Sequence, residues 1–212
     1  GILKQGDPLE KPGVIGAWCR TYSIPEVIEL FLADVYDSCD VDNRYTYKQG
    51  STAAGLIVYD DKYAYSHHGT DPTSGKLCNA FDLVRLHKFG LKDEDAREDT
   101  PGNKLPSYLA MTEFASKNPQ VRAMIVTEKL DDAKHDFEGI DQPEDALEEI
   151  DLEWVKKLDV DRKGNIHGTI DNILLIFEND PYFKGRIAYD DFEKCEVGIT
   201  DLPWRSITDL TR

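Results

Sequence analysis

The sequence predicts an α+β fold: a small antiparallel sheet packed by helices, followed by a small, mainly helical second domain. Three observations carry that expectation. Runs rich in tyrosine, valine and isoleucine, at residues 44–48, 56–59 and 63–66, lie close together and are separated by turn-forming residues. Stretches with apolar residues at helical spacing flank these runs on both sides. Beyond an acidic segment over 136–150 the helical spacing returns, broken by only brief strand-like runs.

In chain order, residues 1–17 are rich in glycine, proline and charge and read as an extended lead-in. Ser23-Ile24-Pro25-Glu26 opens the first helix. The Ser23 hydroxyl can accept a free first-turn N–H, Pro25 suits a position whose N–H needs no partner, and Glu26 stands where a capping box needs it. Val27, Ile28, Leu30, Phe31, Ala33 and Val35 give this helix a broad apolar face, with an end expected at 37–39. Asp60-Asp61-Lys62 is a short polar connection, so 56–66 reads as a hairpin. Residues 79–88, with Phe81, Leu83, Val84 and Leu86, form a second helix that Gly90 is placed to stop. A charged loop over 92–103 precedes helical spacing at 107–117 and 121–134.

The acidic segment 136–150, containing Pro143, is the expected linker between a first domain over 1–135 and a second over 151–212. In the second, a helix over 151–157, a polar turn at 161–165, a helix over 170–178 and short strands near 186–189 and 195–199 are expected. The longest apolar stretch, Ile173-Leu174-Leu175-Ile176-Phe177, falls far short of the ~18 residues of a membrane span and is short enough to be buried inside a soluble domain. No membrane partner is expected. The chain reads as a fragment of a longer polypeptide.

The net charge is −16, and residues 91–154 hold most of the excess, with 18 acidic against 7 basic side chains. A surface of that sign repels phosphate and makes the chain as a whole a poor candidate for tight non-specific DNA binding. A local basic face in the first or last third stays open. The acidic run 141–153 reads as a solvated linker and helix face, with a docking surface for a basic partner as the alternative. Cys19, Cys39, Cys78 and Cys195 are far apart with no CxxC pair, which suits a reduced, cytoplasmic protein rather than a disulfide framework.

The stretch AYSHHGTDPTSGKLC concentrates chemistry in one turn. Imidazoles and thiolates are zinc ligands, and His67, His68, Cys78 and Cys39 could supply four of them, so zinc is the one cofactor considered. Adjacent histidines on a strand point to opposite faces, however, so only one of the pair joins a given site easily. In the blander reading one histidine hydrogen-bonds the loop and Cys78 packs as a small hydrophobe. A catalytic reading makes His68 a base oriented by Asp71, but no nucleophile or second carboxylate is fixed beside them, and Asp71-Pro72 with Gly75 is a turn signature. Asp159-Val160-Asp161-Arg162-Lys163-Gly164 begins like a calcium loop, yet Lys163 and Ile170 occupy positions that need oxygen ligands, so it reads as a polar turn. No GxxxxGK[ST], GxGxxG or GxSxG motif occurs.

Basic and aromatic side chains interleave in the first third: Arg20, Arg44, Lys48, Lys62, Arg85 and Lys88 among Tyr22, Tyr45, Tyr47, Tyr63 and Tyr65. Sheets that bind single-stranded nucleic acid combine these residue types. The candidate DNA-contact set is Arg44, Lys48, Lys62, His67, His68, Asp71, Arg85 and Lys88, with His68 and Asp71 shaping the turn and Arg85 reaching a phosphate from the following helix. The alternative is a tyrosine-rich, half-buried sheet.

Two long strings carry a family resemblance. Residues 12–90, reading PGVIGAWCRTYSIPEVIELFL, RYTYKQGSTAAGLIVYDDKYAYSHHGTDP and LCNAFDLVRLHKFG, resemble the region upstream of the helicase in the virulence-associated E family, a primase-helicase group of phage and mobile-element replication proteins. Residues 154–204, from WVKKLDVDRKGNIHG to EKCEVGITDLPW, resemble the segment just before the ATPase core in that family. The resemblance implies an ATP-dependent parent helicase or primase-helicase and a non-catalytic fragment ending before its P-loop. It implies template DNA and the helicase core of the same polypeptide as partners. The order strand, strand, histidine turn, apolar helix is also similar to the zinc-binding domain of bacterial primases. That domain's paired cysteines are missing here, so this likeness implies the fold and template handling without the metal. The expected function is thus to contact template DNA or to position primase and helicase modules. A metal-dependent nuclease or phosphodiesterase centred on His67, His68 and Asp71, and an acidic protein-interaction module, are the alternatives.

Overall fold

The structure, a computed structural model, describes residues 6–136, 153–161, 165–180, 183–184, 187–190 and 195–198. It is α+β. A five-stranded antiparallel sheet is formed by β1 (Tyr36–Ser38), β2 (Arg44–Tyr47), β3 (Leu56–Tyr59), β4 (Tyr63–Ser66) and β5 (Leu77–Asn79), each paired with its sequence neighbour.

Helices close one face of this sheet. The expected extended lead-in is interrupted by helix α1 (Gly13–Thr21), which follows Pro12 and starts at a glycine with φ of 67°. Its buried Ala17, Trp18 and Cys19 drive it inward despite two glycines. Gly16 is required: a Cβ there would run into the Lys11 carbonyl. Helix α2 (Ile24–Phe31) begins as expected, with Ser23 accepting from Glu26 N–H and the Glu26 carboxylate accepting from Ser23 N–H at 2.8 Å. It ends earlier than its apolar spacing suggests, because Tyr36–Ser38 leaves to pair as the edge strand β1. Leu30, within the helix, is exposed.

The β3–β4 connection is the three residues Asp60-Asp61-Lys62: Asp60 and Asp61 take left-handed φ of 51° and 54°, and the Lys62 N–H donates to the Tyr59 carbonyl at 3.0 Å. The Asp61 carbonyl accepts the Ile24 N–H at 2.8 Å, tying the hairpin to the start of α2. Helix α3 (Ala80–Phe89) is capped by Asn79, whose side chain accepts from Asp82 N–H. Its C-terminus runs on into a 3-10 turn over Gly90–Asp93 rather than stopping at Gly90. Helices α4 (Pro106–Ser116) and α5 (Pro119–Asp136) complete the layer. The core between sheet and helices holds Leu56, Val58 and Cys78 from strands against Trp18, Phe81 and Met111 from helices.

The expected linker lies mostly outside the described residues. Past it, a 3-10 turn (Val155–Lys157) replaces the expected helix. Trp154, Val155, Leu158 and Val160 form a second cluster with Val126 of α5. Helix α6 (Ile170–Asn179) is capped by Thr169 and packs Leu175 and Ile176 on this cluster. Ile173 and Leu174 are exposed, so the apolar run 173–177 is only partly buried. Strands β6 (Ile187–Asp190) and β7 (Cys195–Gly198) pair antiparallel. Among the described residues, no helix is long and apolar enough to cross a membrane.

Candidate functional site

The turn after β4 is built around one carboxylate. The chain doubles back through Asp71 N–H to the His68 carbonyl, Ser74 N–H to the Asp71 carbonyl and Gly75 N–H to the Ser66 carbonyl. Asp71 Oδ1 accepts from the Thr73 N–H at 2.8 Å and the Thr73 hydroxyl at 2.7 Å. Its Oδ2 accepts from the Ser66 hydroxyl and the Tyr36 hydroxyl, both at 2.7 Å. Because the Tyr36 proton points at Asp71, the phenol oxygen accepts from His87 Nε2, 2.7 Å away, which assigns the proton of that ring to Nε2. The same nitrogen lies 3.4 Å from Asp71 Oδ1.

Burial alone would raise the Asp71 pKa, but the hydrogen bonds from His87, Thr73 and Ser66 outweigh it and hold the carboxyl well below its usual range. Burial, with the Asp71 charge adding to it, keeps the Tyr36 phenol protonated far above its ordinary value. The Asp71 side chain has no exposed surface and that of His87 only 5%. A carboxylate with this many donors and no solvent contact is a lock joining β1, the turn and α3, and no substrate atom can reach it. The catalytic alternative that paired His68 with Asp71 does not form: the Asp71 side chain lies beside His87, on the next helix.

His68 serves a second lock. Its Nε2 accepts the Tyr47 N–H at 3.3 Å, which leaves the ring proton on Nδ1, directed at the Thr52 hydroxyl 3.0 Å away. Gly55 and Gly50 press against the ring; a Cβ on Gly55 would sit 2.5 Å from Nε2. His67 points the other way, into solvent, with its ring edge-to-face with Tyr65 at 4.8 Å. This is the opposite-face rule for neighbouring strand residues.

The proposed zinc set does not assemble. Cys78 is in the core with its thiol pushed up to about 12 by burial, and Cys39 donates to the Arg44 carbonyl at 3.1 Å. With His67 outside and His68 wedged under the 50–55 loop, the four point in different directions. Among the described residues, no group of three His, Cys, Asp or Glu side chains could hold a metal ion. The nuclease centre drawn from His67, His68 and Asp71 fails for the same reason.

The DNA-contact candidates divide. Arg85 is turned inward, donating from Nε to Asp82 at 3.1 Å and from Nη1 to the Ser107 hydroxyl at 2.8 Å, with Asp93 beyond. It braces α3 against α4 and does not present a guanidinium to a phosphate. His68 and Asp71 are buried as well. Lys62 pairs with Asp7 at 2.7 Å, and Lys48 with Asp37 at 3.1 Å and the Ala33 carbonyl at 2.8 Å. Lys88 is exposed near the C-terminal end of α3, on a different element from Arg44 and His67. Arg44 and His67 remain, on the sheet face opposite the helices.

That outer face has a defined composition. Cross-strand register places Arg44 beside Ile57, Ile57 beside Tyr65, and Tyr65 beside Leu77, one row spanning β2 to β5. Tyr59 lies on the same face one step along and is exposed, and His67 stands past Tyr65. The Arg44 guanidinium is anchored to the Ala54 carbonyl at 3.1 Å. Tyr63 belongs to this face but is covered, its hydroxyl donating to the Gly6 carbonyl. Tyr45 and Tyr47 face the core instead. Ile57, Tyr59 and Leu77 were absent from the sequence-derived set; period-two alternation outward from His67 and Tyr65 finds Tyr63 on the same strand, and pairing finds the rest.

A cleft of about 360 Å³ lies elsewhere, where Lys117 and Arg122 meet Asp159 and His167. His167 Nδ1 is 2.8 Å from Asp159, Lys117 pairs with Glu113, and Arg122 donates to the Lys117 and Leu158 carbonyls. These contacts stitch the second cluster to the α4–α5 corner, although Arg122 Nε is buried without a hydrogen-bond partner among the described residues. No protein-family model, curated protein or solved structure matches this chain.

Proposed function

We propose that this chain is a non-catalytic module of a phage-type primase-helicase and contacts single-stranded template DNA through the outer face of its sheet. One observation carries the reading: the row from Arg44 through Ile57 to Tyr65, flanked by Tyr59 and His67, on the side of the sheet away from the helices. Every base has a π-face, so aromatic rings on a sheet bind single strands without reading sequence, contributing about 1–3 kcal/mol per stacked base. An anchored guanidinium at the edge of the row supplies the phosphate or stacking contact. The two buried locks support this role by fixing the end of β4, from which Tyr65 and His67 project. The similarity of residues 12–90 and 154–204 to virulence-associated E proteins supplies the biological setting, with a helicase core of the same polypeptide as the neighbour that the module positions. The acidic net charge keeps the contact weak, as suits a template that must slide.

Fluorescence anisotropy with short labelled single-stranded and duplex DNA at low salt tests this. Binding that prefers the single strand and falls roughly tenfold in Tyr65→Ala, with a smaller loss in Arg44→Ala, is expected. Absence of binding, or binding indifferent to both substitutions, refutes it.

A further inference from the structure

Helix α6 carries two apolar faces. At about 100° per residue, Asn172, Leu175 and Ile176 turn toward the second cluster: Leu175 and Ile176 pack there, and Asn172 is buried with its side chain bonded to the backbone of Asp159 and His167. Ile170, Ile173, Leu174 and Phe177 fall on the opposite side, at positions i, i+3, i+4 and i+7. Ile170 is 75% exposed, Leu174 50% and Ile173 39%, and Phe177 is half-buried beside Phe183. Single exposed hydrophobes are ordinary, but a contiguous stripe at this spacing marks an interaction surface. The spacing is the one by which one amphipathic helix grips another.

The stripe has a charged edge. Asp171 and Glu178, seven residues apart and both exposed, run alongside Ile170, Leu174 and Phe177. That edge selects among occupants. A second copy brings the same carboxylates to the contact on a chain already at −16, so self-pairing sets like charges together. An anionic lipid surface is repelled for the same reason. A helix with an apolar face and lysine or arginine along its border fits both features. We propose that α6 docks an amphipathic helix of another polypeptide, its apolar face on Ile170, Leu174 and Phe177 and its basic border along Asp171 and Glu178. This surface is separate from the sheet face, and neither reading depends on the other.

The test uses the whole chain and three labelled peptides of equal length. One has leucines at i, i+3, i+4 and i+7 with lysines elsewhere. The second carries glutamate in place of lysine. The third scrambles the first, keeping its charge but not its stripe. The expected result is that the leucine–lysine helix binds at least tenfold more tightly than either control. Leu174→Ser should weaken it about tenfold, and Glu178→Lys should weaken it while improving the glutamate peptide. Circular dichroism confirms that the variants fold, as their exposed positions require. Four results overturn the proposal: equal binding of the scrambled peptide, which shows bulk charge alone; binding unchanged in Leu174→Ser; a dimer of the unsubstituted chain that Leu174→Ser dissociates; or binding that appears only after residues 199–212 are deleted, which shows that the chain covers its own stripe.

Discussion

Four donors from three residues converge on Asp71, and His87 stands behind them. In Asp71→Asn an amide NH2 replaces one oxygen and faces donors rather than acceptors. Urea unfolding at pH 7 should show a loss of about 2–4 kcal/mol. The pH dependence has a definite sign. A carboxyl whose folded pKa is depressed gives its full stabilisation above the unfolded value of about 3.9 and loses it as pH falls toward the folded value. The gap between wild type and Asp71→Asn should therefore narrow steadily below about pH 4, whereas a gap constant down to acid denaturation contradicts the charge-based account. The sequence marked Asp71 and His68 as shapers of the turn, and both are. It did not pair Asp71 with His87, because that contact is made across the fold. One signal was available: His87 stands three and four residues after Val84 and Leu83, on the buried side of its helix.

Among the elements, those with strong local chemistry were legible and those defined by pairing were not. The Ser23–Glu26 box, the 56–66 hairpin and the helix from Ala80 follow from residues within one turn of each other. Helix α1 was hidden by Pro12, Gly13 and Gly16, whose local cost is offset by burying Trp18. Strand β1 was hidden by Val35, which continues a helical spacing that the chain abandons to pair with β2. The Asp60-Asp61 turn gives a test at this scale. Asp61 holds a positive φ that glycine adopts without penalty, and its role toward Ile24 is through the backbone carbonyl. Asp61→Gly should raise stability by about 0.5 kcal/mol, seen as a higher urea midpoint at unchanged slope; a lower midpoint would show that the Asp61 carboxylate itself stabilises the turn.

At the scale of the molecule, the expected division into two domains meets a shared cluster: Trp154, Val155 and Leu158 cover Val126 of α5. Trp154→Ala should cost about 3 kcal/mol and leave one cooperative unfolding transition, read by far-ultraviolet circular dichroism. Two transitions, with only one shifted, would mean that the parts fold independently. The class of fold was legible because it rests on composition and spacing. The outer face was not: four tyrosines on two strands give no sign of which pair the helices will cover, and only the docking of α1 through α4 turns Tyr47 in and Tyr65 out.

The order of the strands also has a consequence for the time course of folding. In a meander, each strand meets its partner as soon as the next few residues arrive, and the entropy of such short closures is small. The Asp71 lock works on another length scale: Tyr36 is 35 residues before the carboxylate, and His87 is 51 residues after Tyr36. A chain made from its N-terminus can therefore lay down β1 to β4 during synthesis, yet the carboxylate gains its last partner only when α3 has emerged and docked.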